Sequence, residues 1–119
     1  MSCVLRVSGA SVEVLSRLSL KPYRVDEGTA HFDVSKAGFD DFATQVENAI
    51  AFLRSRAADV KLMMSESGTS GVLDFGVEWR DVAAQFDTFP AELVREAGGF
   101  GLALELSHYP VSEGRGAEA

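Results

Sequence analysis

The sequence predicts an α+β domain: an antiparallel or mixed β-sheet with helices packed on one of its faces. Three observations carry this. Leu73, Phe75, Val77 and Trp79 alternate with Asp74, Gly76, Glu78 and Arg80, and period-two alternation marks a strand with one buried and one wet face. Leu102, Leu104 and Leu106 repeat the pattern further on. Between them and the N-terminus, Phe39, Phe42, Val46, Ala49, Ile50, Leu53 and Ala57 recur at spacings of three and four, which gathers them on one stripe of a helix. Strands joined mainly by hairpins, with few helices, belong to the α+β class.

Taken in order, Cys3, Leu5 and Val7 alternate with Val4, Arg6 and Ser8 and predict a first strand. Turn residues follow, and Ser11 is placed to cap a short helix carrying Val12, Leu15 and Leu18, which Pro22 ends. Residues 23–34 read as a hairpin turning at Asp26, Glu27 and Gly28, with Ala30, Phe32 and Val34 facing inward. The long helix comes next. Asp40 and Asp41 suit its positive start and Arg54 and Arg56 its negative end, with a cap at Ser35 or slightly later. Residues 60–64 read as a short apolar strand, which a polar loop at 66–71 joins to the long alternating strand as a hairpin. Residues 84–88 are expected as another short edge strand. Pro90 suits the first position of a helix, and Gly98 and Gly99 are expected to stop it in the left-handed conformation. A last strand over 101–109 ends at Pro110. The expected order is therefore β-α-β(β)-α-β-β-(β)-α-β.

A chain of 119 residues fits a single domain, read as residues 1–112 with a flexible tail at 113–119. An apolar content of 46% argues against disorder. The apolar runs are too short to cross a membrane. Arg6, Ser8, Glu13 and Arg17 interrupt the region where a signal peptide needs an unbroken apolar segment. Cys3 is the lone cysteine, which fits a reducing cytoplasm. The formal charge of −7 is uneven: residues 1–70 hold nine acids against eight bases, and residues 71–119 nine acids against three. Such a field repels nucleic-acid phosphates and would steer a basic protein partner toward the C-terminal half. Acidity that merely maintains solubility is the plainer alternative.

The run Leu73-Asp74-Phe75-Gly76-Val77, the helix start at Phe89-Pro90, and the stretch from Phe100 to Pro110 resemble a family of small bacterial domains of unknown function. The segment from Leu18 to Pro22, the Gly28 turn and Phe32-Asp33-Val34 are similar in order. The resemblance covers most of the chain and implies a compact α+β domain of bacterial origin. Its motifs are structural punctuation, so it implies no substrate and no active-site residue.

Constellations for chemistry are sparse. His31 and Asp33 share a strand face, and with His108 and Cys3 they make up the candidate metal ligands, without the paired spacing that zinc sites show. Cys3 could take His108 as a base only if the terminal strands pair, and its inward phase favours inert packing. The glycines at 98–101 follow a helix rather than open one, and those at 68–71 lack a following lysine, so both read as turns and no cofactor is expected. Asp74, Glu78 and Glu105 fall in polar strand phases and would form a negative patch on the outer face if their strands adjoin. The patch reads as a solvated surface or as the docking site of a basic partner. Phe52 breaks the helical pattern beside Gln45, Asp41 and Asn48; it is either covered by the first helix or a loop, or it marks a homodimer or partner surface. The expectation is a non-enzymatic interaction domain, immunity-like or regulatory, that masks a basic partner. Its rival is a small-ligand module or minor enzyme with a pocket between sheet and helices, which a closed cavity lined by Tyr23, His31, His108 or Tyr109 would favour.

Overall fold

The apolar phase of the first strand decides the architecture. β1 (Cys3–Ser8) runs through the middle of a five-stranded sheet and turns Cys3, Leu5 and Val7 into the core. The computed structural model describes residues 1–110. The expected domain end at 112 and the tail at 113–119 lie outside the described residues. β1 is followed by α1 (Val12–Arg17), β2 (Arg24–Asp26), β3 (Thr29–Ser35), α2 (Phe42–Ser55), α3 (Ala57–Met64), β4 (Ser70–Trp79), α4 (Ala91–Gly99) and β5 (Ala103–Pro110). The sheet is open and ordered β2-β3-β1-β4-β5. Its pairs are antiparallel except β4–β5, which are parallel and joined through α4. The fold is therefore α+β with a mixed sheet. No described helix is long and apolar enough to cross a membrane.

Each element has a local cause. Ser11 Oγ accepts from the Val14 N–H at 3.1 Å, and Asp41 Oδ1 accepts from Thr44 N–H at 3.1 Å, so each helix start gains a partner for an orphan donor. The second cap lies later than Ser35. Glu27 and Gly28 both take positive φ between the paired residues Asp26 and Thr29, as a two-residue hairpin requires. At the end of α4 the left-handed residue is Gly101, not Gly98 or Gly99, and the Leu102 N–H returns to the Ala97 carbonyl at 3.0 Å.

The four helices among the described residues share one core. Val14, Leu18, Val46, Ala49, Leu53, Val60, Met63, Leu93 and Ala97 pack with Leu5, Phe32, Leu73 and Phe75 from the sheet. Asp59 ties α3 to the chain after α1 by accepting from the Leu20 N–H and the Ser19 hydroxyl, each at 2.8 Å. Burial pushes its pKa up, but these hydrogen bonds outweigh burial and hold the carboxyl below its ordinary value.

Two expected strands are absent from the described residues. Residues 60–64 belong to α3, because burying Val60 and Met63, three apart, satisfies the core on a helical repeat. A short apolar run has no period that separates these outcomes. Residues 84–88 form no strand: Phe86 is 85% exposed, and Gln85 holds the loop by accepting from Arg80 N–H and donating to the Glu78 carbonyl. Two side chains also change place. Phe39 lies outside α2 rather than on its stripe. Trp79, expected in the core, is 41% exposed because β4 outruns the helix layer; it rests edge-on against His108 at 5.6 Å.

Phe75, by contrast, is fully buried between the rings of Phe42 and Phe89, at 5.8 and 5.2 Å. Phe75→Ala should cost about 3–5 kcal/mol, and Trp79→Ala roughly 1 kcal/mol or less. Urea melts of the two variants check the difference, and equal losses would contradict this placement of the core.

Candidate functional site on the helix-free face of the sheet

With the four helices of the described residues packed on one side, the other face must satisfy its charges laterally. Arg6 stands at its centre. Along β1 it is registered with His31 on one side and Val72 on the other, so Asp74 is its diagonal neighbour on β4. Arg6 Nη1 donates to Asp74 Oδ2 at 2.6 Å and Nη2 to Glu105 Oε2 at 2.8 Å. Asp74 and Glu105 are directly opposite each other on β4 and β5, a like-charge pair that the guanidinium reconciles. Ser107 Oγ donates to the other oxygen of Asp74 at 2.7 Å. The hydrogen bond to Glu105 raises the Arg6 pKa further above neutrality, so the clamp stays charged.

His31 lies beside Arg6 and is 6% exposed. Its Nε2 is 3.4 Å from Arg24 Nη2 and 4.0 Å from Asp26 Oδ2, with the Tyr23 ring at 6.0 Å. Burial lowers its pKa, the Arg24 and Arg6 charges lower it too, and Asp26 opposes them. At the far end of the face the rings of Phe39 and Tyr109 meet at 5.2 Å above Gly76, where a Cβ would approach Phe39 to 2.8 Å. The Phe39 carbonyl accepts from Glu78 N–H, and Gln45 Nε2 donates to the carbonyls of Gly38 and Gly76, which fixes this loop against β4.

Two depressions open on this face, with Arg6 and His31 lining both. The larger, about 570 Å³, reaches Asp26, Glu27 and Glu105. The smaller, about 270 Å³, reaches Tyr23, Arg24 and Tyr109. Arg24 bridges to Asp26 at 2.9 Å. The larger depression thus sets Arg6 against Asp26, Glu27 and Glu105, an excess of negative charge, whereas the smaller sets Arg6 and Arg24 against Asp74.

The sequence-predicted acids are only partly where they were expected. Asp74 and Glu105 do meet on the outer face, but Asp74 is 8% and Glu78 6% exposed, so they form no open acidic patch. The polar chains beside them, and Phe39, cover what the alternation alone left wet. Glu105 is half exposed. Phe52 is on the other side of the sheet, half-buried against the core. Arg6, His31 and Glu27 were not singled out for this site; an arginine in the polar phase of the first strand was the available signal. β1 and β5 are separated by β4, so Cys3 and His108 make no catalytic pair. Burial pushes the Cys3 thiol up, with the Asp74 charge adding to it, which leaves the thiol protonated and inert. Asp33 pairs with Lys36. No cluster of metal-ligating side chains occurs among the described residues. Tyr23, His31 and Tyr109 do gather, but on the helix-free face rather than between sheet and helices, and His108 is not with them.

Comparison with protein-family models, curated proteins and solved structures finds no match.

Removing Arg6 would leave Asp74 buried with a single hydroxyl partner. Arg6→Ala should cost about 2–3 kcal/mol, since hydrogen bonds to buried charges are among the strong ones. The Arg6→Ala/Asp74→Ala double variant should recover part of the loss. A double-mutant cycle in urea checks this, and additive losses would mean no coupling.

His31 gives a pH signature. Its folded pKa is below the unfolded value of about 6.5, so the unfolded chain binds the proton more readily. The stabilisation is complete above about pH 6.5 and is lost as the pH falls toward the folded pKa. His31→Asn should remove that part of the slope between about pH 7.5 and 5.5. Urea melts across this range test it, and identical slopes in both proteins would contradict the assignment.

Proposed function

We propose that the chain is a non-enzymatic interaction domain whose helix-free sheet face receives a basic segment of another protein. The observation that supports this reading is the larger depression, where the carboxylates of Asp26, Glu27 and Glu105 outnumber the single guanidinium of Arg6. A cationic side chain entering there supplies the charge the face lacks, and the field of a chain with net charge −7 speeds its approach. In its sharper form the domain masks that partner, as an immunity or regulatory protein does in a bacterial cytoplasm. The chain's resemblance to small bacterial domains belongs to the same proposal. The basic partner thus meets the lip formed by the β2–β3 turn and Glu105 rather than an open patch at Asp74 and Glu78. Phe52 has no part in this contact.

Octalysine and octaglutamate serve as probes in surface-plasmon kinetics. Octalysine should bind, octaglutamate should not, and the on-rate should fall severalfold as salt is raised from about 0.05 to 0.3 M, where screening shortens the range of the field. Glu27→Lys, in the turn, should slow association more than Glu47→Lys, which makes the same charge change on exposed α2. Equal effects of the two variants would make the acidity a general solubility feature and overturn the proposal.

A further inference from the structure

The two edges of the sheet are unlike. β2 is three residues long, and the Arg24–Asp26 bridge spans its two ends. β5 is eight residues long and, among the described residues, is paired only with β4. Its register with β4 is unbroken from Val72–Ala103 to Trp79–Pro110, so no bulge twists it away. Natural edges are commonly protected by brevity, lysines, bulges or proline. β5 has no lysine, and its proline stands at the last position. A long, regular edge of this kind is a template for another strand.

The side chains of β5 state what that strand should carry. Glu105, Ser107 and Tyr109 lie on the helix-free side, and the half-exposed Glu105 borders the depression with its excess of carboxylates. Leu104 and Leu106 lie on the helix side and continue the core outward, half-buried. An incoming strand must therefore alternate basic residues toward Glu105 with apolar residues beside Leu104 and Leu106. A second copy of β5 fails the first requirement, since it would bring another Glu105 and another chain of charge −7. We infer that the outer edge of β5 is a strand-addition site for an extended protein segment in which basic and apolar residues alternate. The inference rests on the basic-partner reading and adds to it the backbone conformation and the polarity pattern of the partner.

The probe is a blocked octapeptide of alternating lysine and valine, compared with the same peptide methylated at every backbone nitrogen. The two carry equal charge, but only the first can donate backbone hydrogen bonds. The unmodified peptide should bind at least about tenfold more tightly and slow hydrogen exchange at β5 amides, with no slowing at β2. Glu105→Gln, which keeps the shape of the side chain, should weaken it about threefold. Equal binding of both peptides, without protection of β5, would overturn strand addition while leaving a basic partner in place. Binding no tighter than that of a glutamate–valine octapeptide would overturn both readings. Protection of β5 in the absence of peptide, rising with protein concentration alongside a doubled mass in light scattering, would assign the edge to a second copy and overturn the inference.

Discussion

A single apolar row across the sheet organises the molecule. Phe32, Leu5, Leu73 and Leu104 are registered side by side on β3, β1, β4 and β5. The first three are fully buried and Leu104 half-buried. Such a row is stable only when covered, and α1, α2, α3 and α4 supply the cover from one side. The strand order places β1 at the centre of the row, so the most apolar face of the N-terminal strand becomes the floor on which the helices rest. Because the helices are committed there, none among the described residues is left for the opposite face.

That face therefore depends on electrostatics rather than on packing alone. Arg6 reaches two strands at once, joining central β1 to β4 and to edge strand β5. Parallel pairing is slightly weaker per residue than antiparallel pairing, and the arginine adds a tie across the one parallel pair in the sheet. It also removes the cost of setting Asp74 opposite Glu105. Gly76 has the complementary role at the other end, where the absence of a Cβ lets Phe39 and Tyr109 close over the strand. Between these two fixtures the surface is concave, and the excess of carboxylates lies on the other side of Arg6, toward the β2–β3 turn. Asp74, nearly buried on this face, is held by two donors, Arg6 and Ser107.

Alternation and helical spacing made most of the fold legible. β1, the β2–β3 hairpin, α2, β4, α4 and β5 all rest on local signals: period-two runs, a two-residue turn, a stripe of apolar residues, a proline start. α3 was not legible, because eight mostly apolar and small residues fit a buried helix or a buried strand equally well. Trp79 and Phe39 show the second limit. A residue's phase tells which face it is on, but not whether the covering layer extends that far. Trp79 keeps the inward phase beyond the reach of the helices, and Phe39, three residues before α2, crosses to the opposite side of the sheet.

By itself, then, the sequence determined the class of fold, the faces of its principal strands, the acidic balance of its second half and the inert setting of Cys3. These follow from neighbours in the chain, where periodicity and turn chemistry act. Only the tertiary structure decided that β4 separates β1 from β5, which keeps Cys3 from His108 and brings Arg6 between Asp74 and Glu105. The Arg6–Glu105 contact joins residues 99 positions apart. No local pattern encodes it, because strand order is set by how the helices cover the apolar face and by the crossover of α4. The burial of Asp74 and Glu78, and with it the change from an open acidic patch to a lined depression, has the same origin: side chains polar in sequence cover one another once five strands lie together.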